Sequence, residues 1–145
     1  MCIRDRLWDV HHALQSSSKR LERTTRVTGP QRLVIRIVGE FPGSSAGDVA
    51  HTMRVHPSTL TGILRRLEKH GLIERRPDPA DARRALFVLT SEGARLNVIE
   101  VDTPEAAVQQ ALAEVAAADV EGTRRVLARV AALLGPTPPG RGGKL

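Results

Sequence analysis

The stretch RRPDPADARRALFVLT, residues Arg75–Thr90, combines clustered positive charge with a short apolar run. Four arginines flank a loop that contains two prolines and two aspartates, and the apolar run Ala85–Leu89 follows the loop. Residues 72–76, before the loop, have the composition of a short strand. The stretch therefore predicts a β-hairpin with a long, positively charged tip.

Three helical segments lie before the hairpin. The apolar pattern of the first predicts a buried face, formed by Leu33, Val34, Ile37, Val38 and Phe41. Ser45 and Asp48 have the spacing of a capping box, which predicts a short second helix. Pro57 is expected to begin the third, which runs to about His70. This order is that of a winged helix-turn-helix, whose third helix enters the DNA major groove while the hairpin tip reaches the backbone or minor groove.

Helical patterns also flank this winged segment, so we expect a mainly α fold with a small β-hairpin. The sequence predicts an N-terminal helix within residues 1–29 and further helices within residues 91–135. Thr90, Thr103 and Asp119 are the expected N-caps of these C-terminal helices. The winged segment is expected to span residues 30–90, and residues 136–145 to form a disordered tail. The opening MCIRDR resembles a translated adaptor fragment, so we interpret residues 1–6 as non-native.

The charge of the chain is unevenly distributed. Lys and Arg number 22 against 16 Asp and Glu, which gives a net charge of +6. Arg54–Arg84 contains eight basic and four acidic residues, whereas Glu100–Gly122 contains six acidic residues and no basic ones. The middle of the chain is therefore the candidate anion-binding part. Because aromatic residues make up only 2% of the chain, binding of single strands by base stacking is disfavoured.

Several classes of function are disfavoured by what the sequence lacks. The single cysteine, Cys2, allows no disulfide within the chain and no cysteine-based zinc site. His11 and His12 are adjacent and would point about 100° apart on a helix, so they are poorly placed to share a metal ion. We find no nucleophile motif and no glycine-rich phosphate loop, and therefore expect no enzyme activity, no metal and no cofactor. Without a signal peptide or an apolar run of about 20 residues, we expect a cytoplasmic protein that does not bind membranes.

The helix predicted to begin at Pro57 has a polar face suited to the major groove. At about 100° per residue, its apolar residues lie together on one side. The residues on the outward side are small or hydroxylated in the first part of the helix and cationic in the second part. They are Ser58, Thr59, Thr61, Gly62, Arg65, Arg66 and Lys69. Small and hydroxylated residues can approach base edges, and arginine can read guanine or bind phosphate. An ordinary amphipathic helix with a solvated basic face would show the same pattern.

The charged hairpin tip strengthens the case for DNA. Asp81 precedes Arg83 by two residues, a spacing that predicts a salt bridge to the guanidinium. An arginine braced in this way loses less entropy on entering a narrow minor groove, whose negative potential attracts it. A merely solvated loop is the alternative. Helix and hairpin together predict binding to double-stranded DNA.

Each predicted contact can be assigned to a residue. Base readout is expected from Ser58, Thr59, Thr61, Gly62 and Arg65. Phosphate contacts are expected from Arg66, Lys69, Arg76 and Arg84. Arg83 is expected to enter the minor groove, and Arg75 to be a solvated strand residue.

The same segment resembles the MarR family of bacterial winged-helix regulators. The resemblance is carried by TGPQRLVIRIVGEFPG (28–43), SAGDVAHTM (45–53) and HPSTLTGILRRLEKHGLIERRPDPADARRALFVLTSEG (56–93). It implies a homodimer, held together by the first and last helices, that acts as a repressor on a pseudo-palindromic operator. It also maps a wing motif onto Asp81 and Arg83, and a small-molecule effector site onto His12, Arg32 and Arg36.

The chain departs from the family pattern at three points. His56 stands where a Ser or Asn cap is usual, which predicts a weaker cap or a phosphate contact. Ala82 lies where many relatives carry arginine, and Arg84 could compensate for it. The scarcity of aromatic residues argues against an aromatic acid as the effector.

Two other functions stay open on the sequence alone. A winged-helix interaction module could bind an acidic protein through the basic face, and it would show little preference for duplex DNA over other polyanions. A peroxide sensor acting through Cys2 would lose its response to oxidant in Cys2→Ser. The interpretation of residues 1–6 as non-native argues against the sensor.

Overall fold

The computed structural model describes residues 2–98 and 103–135. These residues form, in chain order, α1 Ile3–Thr25, α2 Gly29–Glu40, β1 Ser44–Ser45, α3 Ala46–Met53, α4 Pro57–Lys69, β2 Ile73–Pro77, β3 Ala85–Leu89, α5 Ser91–Leu96, α6 Pro104–Ala113 and α7 Ala117–Leu134. The predicted mainly α fold with a small sheet is confirmed. The chain divides into two units. We call the described residues of 1–29 and 99–134 the helical unit, and residues 30–98 the winged lobe.

The sheet of the winged lobe has one more strand than the sequence predicts. β3 lies between β1 and β2 and pairs antiparallel with both, so that Phe87 stands opposite Ser44 on one side and Arg75 on the other. β1 contains only two residues and follows a turn at Gly43, where φ is 84°. Two residues are too few to show an alternating pattern, so the hairpin was predictable and β1 was not.

The core of the winged lobe is formed by α2, α3, α4 and β3. Its most deeply buried large side chains are Val34, Ile35, Val38, Val49, Leu60, Leu67 and Phe87. Two residues predicted on the buried face of α2 are exposed instead, Leu33 by 45% and Phe41 by 55%. Phe41 comes after the last residue of α2, so helical spacing does not apply to it, and Leu33 lies at the edge of the apolar stripe.

The junction between β3 and α5 depends on a close backbone approach at Gly93. As predicted, Thr90 caps α5; its hydroxyl oxygen accepts the backbone N–H of Gly93 at 3.1 Å. The same hydroxyl donates to the carbonyl oxygen of Gly71 at 2.6 Å. A Cβ atom at position 93 would stand 1.9 Å from the carbonyl oxygen of Leu72. Only glycine therefore fits between this helix and the preceding turn. The contact groups α5 with the winged lobe, which extends to residue 98 rather than 90.

The helical unit contains α1, α6 and α7. Thr103 caps α6 as predicted, since its side chain accepts the backbone N–H of Ala106 at 3.2 Å. The predicted cap Asp119 lies instead in the first turn of α7, where a carboxylate suits the positive end of the helix. α1 begins at Ile3, within the six residues interpreted as non-native. The tail predicted at residues 136–145 lies outside the described residues.

Candidate nucleic-acid interface

α4 begins with a histidine cap. The Nδ1 atom of His56 accepts the backbone N–H of Ser58 at 3.2 Å and lies 2.6 Å from the Ser58 hydroxyl oxygen. A ring nitrogen here does what the oxygen of Ser or Asn usually does at a helix start. The cap is therefore present in the structure, and the expectation that it is weaker than a Ser or Asn cap stays a prediction. The hydroxyl of Ser58 is held in the same contact, which leaves it less free to reach a base.

The two faces of α4 separate as the helix geometry predicts. Leu60, Leu64 and Leu67 are buried. The predicted outward residues are all exposed, namely Ser58, Thr59, Thr61, Gly62, Arg65, Arg66 and Lys69. The hydroxyl of Thr61 donates to the carbonyl oxygen of Pro57 at 2.9 Å. Thr61 therefore offers a ligand its methyl group and an acceptor oxygen, but not its donor.

The cations of α4 are not neutralised by nearby carboxylates. Within residues 2–98 and 103–135, the side chains of Arg65, Arg66 and Lys69 form no ion pair and no hydrogen bond. Glu68, the acidic residue of the same helix, is engaged elsewhere, with Arg75. The outward face of α4 therefore presents uncompensated positive charge next to small polar residues.

Arg75 is anchored rather than merely solvated. Its Nε atom donates to Glu68 Oε1 at 3.2 Å, and its guanidinium lies 5.5 Å from the centre of the Phe87 ring. These contacts tie β2 to α4 and β3, which explains why an arginine stands there. The neighbouring Arg76 pairs with Glu74 of its own strand. This pairing reduces the charge that Arg76 can offer a phosphate.

The loop between β2 and β3 is held by the aspartates at positions 78 and 81. Asp78 Oδ1 accepts the backbone N–H of Ala80, and Asp81 Oδ1 accepts the backbone N–H of Arg83, each at 2.9 Å. The predicted salt bridge from Asp81 to the Arg83 guanidinium is thus replaced by a bond to the backbone. A carboxylate two residues upstream fits a backbone amide in a tight turn. The Arg83 guanidinium has no ion-pair partner in the part of the chain that the structure describes.

Arg84 contacts the start of α3. Its Nη2 atom donates to Ser45 Oγ and to Asp48 Oδ2, both at 3.0 Å. Ser45 and Asp48 form the predicted capping box of α3. The hydroxyl and backbone N–H of Ser45, together with the charge of Arg84, hold the pKa of Asp48 below its ordinary value. The sequence indicated the capping box, but it did not indicate that Arg84 binds to it.

A hollow of about 420 Å³ lies between α3, α4 and the hairpin formed by β2 and β3. Thr61 of α4 lines it together with Arg75, Arg83 and Arg84. The winged lobe therefore brings Thr61 of α4 and three arginines of the hairpin together around one basic hollow. Such a surface can bind a polyanion with regularly spaced charges.

The three residues predicted for an effector site belong to different units of the chain. His12 lies on α1 of the helical unit and is exposed; its ring centre is 6.1 Å from that of Trp8. Arg32 and Arg36 lie on α2 of the winged lobe and are half-buried. Arg36 Nη1 donates to the carbonyl oxygen of Asn97 at 2.8 Å. The grouping of these residues around an effector stays a prediction.

No group of three or more His, Cys, Asp or Glu side chains in residues 2–98 and 103–135 could hold a metal ion. No helix within those ranges is long and apolar enough to cross a membrane.

Part of the chain is similar in sequence to a known family of regulators. Residues 27–85 match the sequence profile described as "MarR family". The chain is 34% identical over 90 residues to the HTH-type transcriptional regulator FarR of Neisseria gonorrhoeae, a match that covers 62% of each protein. Matches to the first curated relatives span from about half to three fifths of their length.

Solved structures share the fold over most of the chain. Streptococcus pneumoniae FabT, crystallised in complex with DNA, superposes with a TM-score of 0.73 at 21% identity, covering 91% of this chain and 94% of that one. PcaV of Streptomyces coelicolor, crystallised with its natural ligand, superposes with a TM-score of 0.65 at 28% identity. The match covers 87% of this chain and 92% of that one. The first likeness supports the fold only.

Proposed function

We propose that the chain, whose residues 27–85 match the MarR family model, is a homodimeric, sequence-specific DNA-binding transcriptional repressor of that family. It acts in the cytoplasm, on a pseudo-palindromic operator in double-stranded DNA. α4 reads base edges in the major groove, and the hairpin contacts the flanking backbone and minor groove.

The outward face of α4 is the observation that carries this proposal. Three of its cations have no partner among the described residues, and they stand beside small side chains that let a helix approach base edges closely. The contacts of each side chain refine the predicted roles. Ser58 is engaged with His56, so base readout falls mainly to the other predicted residues, which are Thr59, Thr61, Gly62 and Arg65. Arg66 and Lys69 are the main phosphate contacts, because Arg76 and Arg84 are already paired within the chain.

Exposed apolar side chains on the helical unit support the homodimer. In α7, Val126, Leu127, Leu133 and Leu134 are all at least 48% exposed, and they follow the spacing of one helical stripe. In α1, Trp8 and Val10 are more than half exposed. Leaving so many large apolar groups in water is unfavourable, and a second copy of the chain would cover them. Two winged lobes would then face two half-sites of an operator.

A small-molecule effector completes the proposal. PcaV was crystallised with its natural ligand, and at 28% identity it supports ligand control for this chain as well. An effector that binds the DNA-free form preferentially would raise the melting temperature of the protein and release the operator. Its predicted contacts are His12, Arg32 and Arg36.

Selection of bound sites from random duplex DNA tests the proposed function. The full chain is incubated with the duplex pool at fixed salt, and bound sequences are recovered and compared. We expect a two-fold symmetric motif whose half-sites are centred about 10 base pairs apart. Recovery without any enriched motif would instead favour a module that binds an acidic protein.

Matched variants of α4 distinguish the reading of bases from general electrostatic attraction to DNA. Arg65→Ala is expected to cost about 1–3 kcal/mol and to relax preference at one base pair, whereas Lys69→Ala weakens all sequences alike. Equal effects of the two variants on every duplex would contradict base reading by Arg65.

A further inference from the structure

We propose that Arg84 is a positioning residue of the DNA interface, which joins the wing to the start of α3 and thereby fixes where Arg83 is presented. The inference rests on the proposed DNA-binding function. It differs from the expectation that Arg84 binds phosphate itself. We call Arg84, Ser45, Asp48 and Asp78 the wing clamp, and residues 73–89 the wing.

One end of the wing clamp is the capping box of α3. Ser45 is buried, and its hydroxyl donates to Asp48 Oδ2 at 2.6 Å while accepting the backbone N–H of Asp48 at 3.2 Å. The backbone N–H of Ser45 donates to the same carboxylate at 2.9 Å. The two oxygens that receive Arg84 are thus already held in place by the helix start. A guanidinium that docks on a fixed acceptor pair loses less freedom per bond than one that meets mobile partners.

The other end of the wing clamp is the loop of the wing. Asp78 has only 13% of its side chain exposed, and its Oδ2 atom lies 3.9 Å from Arg84 Nε. The backbone N–H of Asp78 donates to the carbonyl oxygen of Arg84 at 3.0 Å, which closes the loop. The backbone N–H of Arg84 in turn donates to the carbonyl oxygen of Asp81 at 2.9 Å. Arg84 is therefore bound through its backbone to the loop and through its side chain to α3.

This arrangement matters for the neighbouring Arg83. The backbone N–H of Arg83 is held by Asp81, and the next residue is held by the wing clamp. The Arg83 guanidinium itself has no ion-pair partner in the described part of the chain. Its point of attachment is fixed while its charge stays available, which is what insertion into a narrow minor groove requires.

Double-mutant cycles on operator affinity distinguish a positioning residue from a phosphate contact. Fluorescence anisotropy at fixed salt, with the duplex obtained by selection, is used to compare the unaltered protein with Arg84→Ala, Asp48→Asn and the double variant. Asp48→Asn keeps an acceptor for the helix cap but removes the charge that Arg84 binds. We expect each single change to weaken binding about tenfold, and the second change to add less than about twofold.

A second cycle combines Arg84→Ala with Arg83→Ala. If Arg84 acts by placing Arg83, its removal is expected to add less than about threefold once Arg83 is absent. If Arg84 contacted a phosphate independently, Arg84→Ala would weaken binding by the same factor in the presence and in the absence of its partner in both cycles. That result would overturn the inference. Urea unfolding of each variant is the control for folding. A lower unfolding free energy with unchanged affinity of the folded protein would also overturn it, since Arg84 would then only stabilise the fold.

Failure of the proposed function can be distinguished from failure of this inference. If the unaltered protein binds no duplex with sequence preference, the proposed function falls and this inference falls with it. If the unaltered protein binds its operator and the two cycles are additive, only the positioning role of Arg84 is lost.

Discussion

Replacing Gly62 by alanine is expected to stabilise the protein and to weaken its binding to DNA. Gly62 lies in the interior of α4, on the exposed face, and its φ is not positive. A Cβ atom built at this position meets no atom within 4 Å. Packing and backbone conformation therefore give no reason for a glycine here. Glycine in a helix interior costs about 1 kcal/mol relative to alanine, so Gly62→Ala is expected to raise the free energy of unfolding by about that amount.

The effect on DNA binding has the opposite sign. Gly62 is on the outward face next to Thr61, so in the proposed complex its missing side chain would let α4 lie close to base edges. A methyl group in that contact would have to be accommodated by moving the helix or the bases. Overpacking by one methyl group costs about 1–2 kcal/mol, which corresponds to roughly five- to thirtyfold weaker binding.

Two measurements on one variant test this reasoning. Urea unfolding gives the free energy of unfolding, and an anisotropy titration with the selected duplex gives the affinity. Gly122→Ala is the matched control, because Gly122 lies within α7 and a Cβ there also meets no atom within 4 Å. The control is expected to stabilise the protein with unchanged affinity, and light scattering checks that it stays dimeric. A stabilised Gly62→Ala protein with unchanged affinity would refute a close approach at this position.

Three further changes have defined outcomes. Gly93→Ala is expected to lower the free energy of unfolding by about 3 kcal/mol, because its Cβ would stand 1.9 Å from a carbonyl oxygen; an unchanged urea midpoint would contradict this. The pKa of Asp48 is lowered from 3.8 in the folded protein, so its carboxylate stabilises the fold above that pH and the contribution is lost as pH falls through the folded value. The difference in unfolding free energy between the unaltered protein and Asp48→Asn should therefore be constant from about pH 7 to pH 5 and shrink below pH 3.8. A difference that grows on acidification would contradict a lowered pKa of Asp48 in the folded protein. Leu127→Glu is expected to give a monomer by light scattering and to weaken operator binding roughly tenfold or more, since both half-sites are no longer engaged together; a dimeric variant would exclude this face of α7 as the interface.

The helices and the hairpin of the winged lobe could be predicted because local signals define them. Ser45 and Asp48 have capping-box spacing, and the structure contains that box. Pro57 begins α4, and the apolar residues of α4 repeat at helical spacing toward the core. Each of these signals acts within a few residues, so the sequence alone carries it.

The partners of the long side chains could not be predicted, because tertiary placement decides them. Arg84 binds oxygens that are 36 and 39 residues away in the chain. Arg75 reaches Glu68 and Phe87 only after β2 has been placed beside α4 and β3. Arginine side chains are long and flexible, so sequence spacing does not reveal which of several acceptors each will meet. Asp81 shows the same limit at short range, since its carboxylate binds the backbone of Arg83 instead of the guanidinium.

Whether α4 reads base sequence can be measured by repeating the binding-site selection with Arg65→Ala. Arg65 is exposed on the outward face and has no ion-pair partner in the described part of the chain. If Arg65 reads a base, the two-fold symmetric motif persists and loses its preference at one base pair in each half-site. An identical motif recovered by the variant and the unaltered protein would contradict the assignment of base reading to this face of α4.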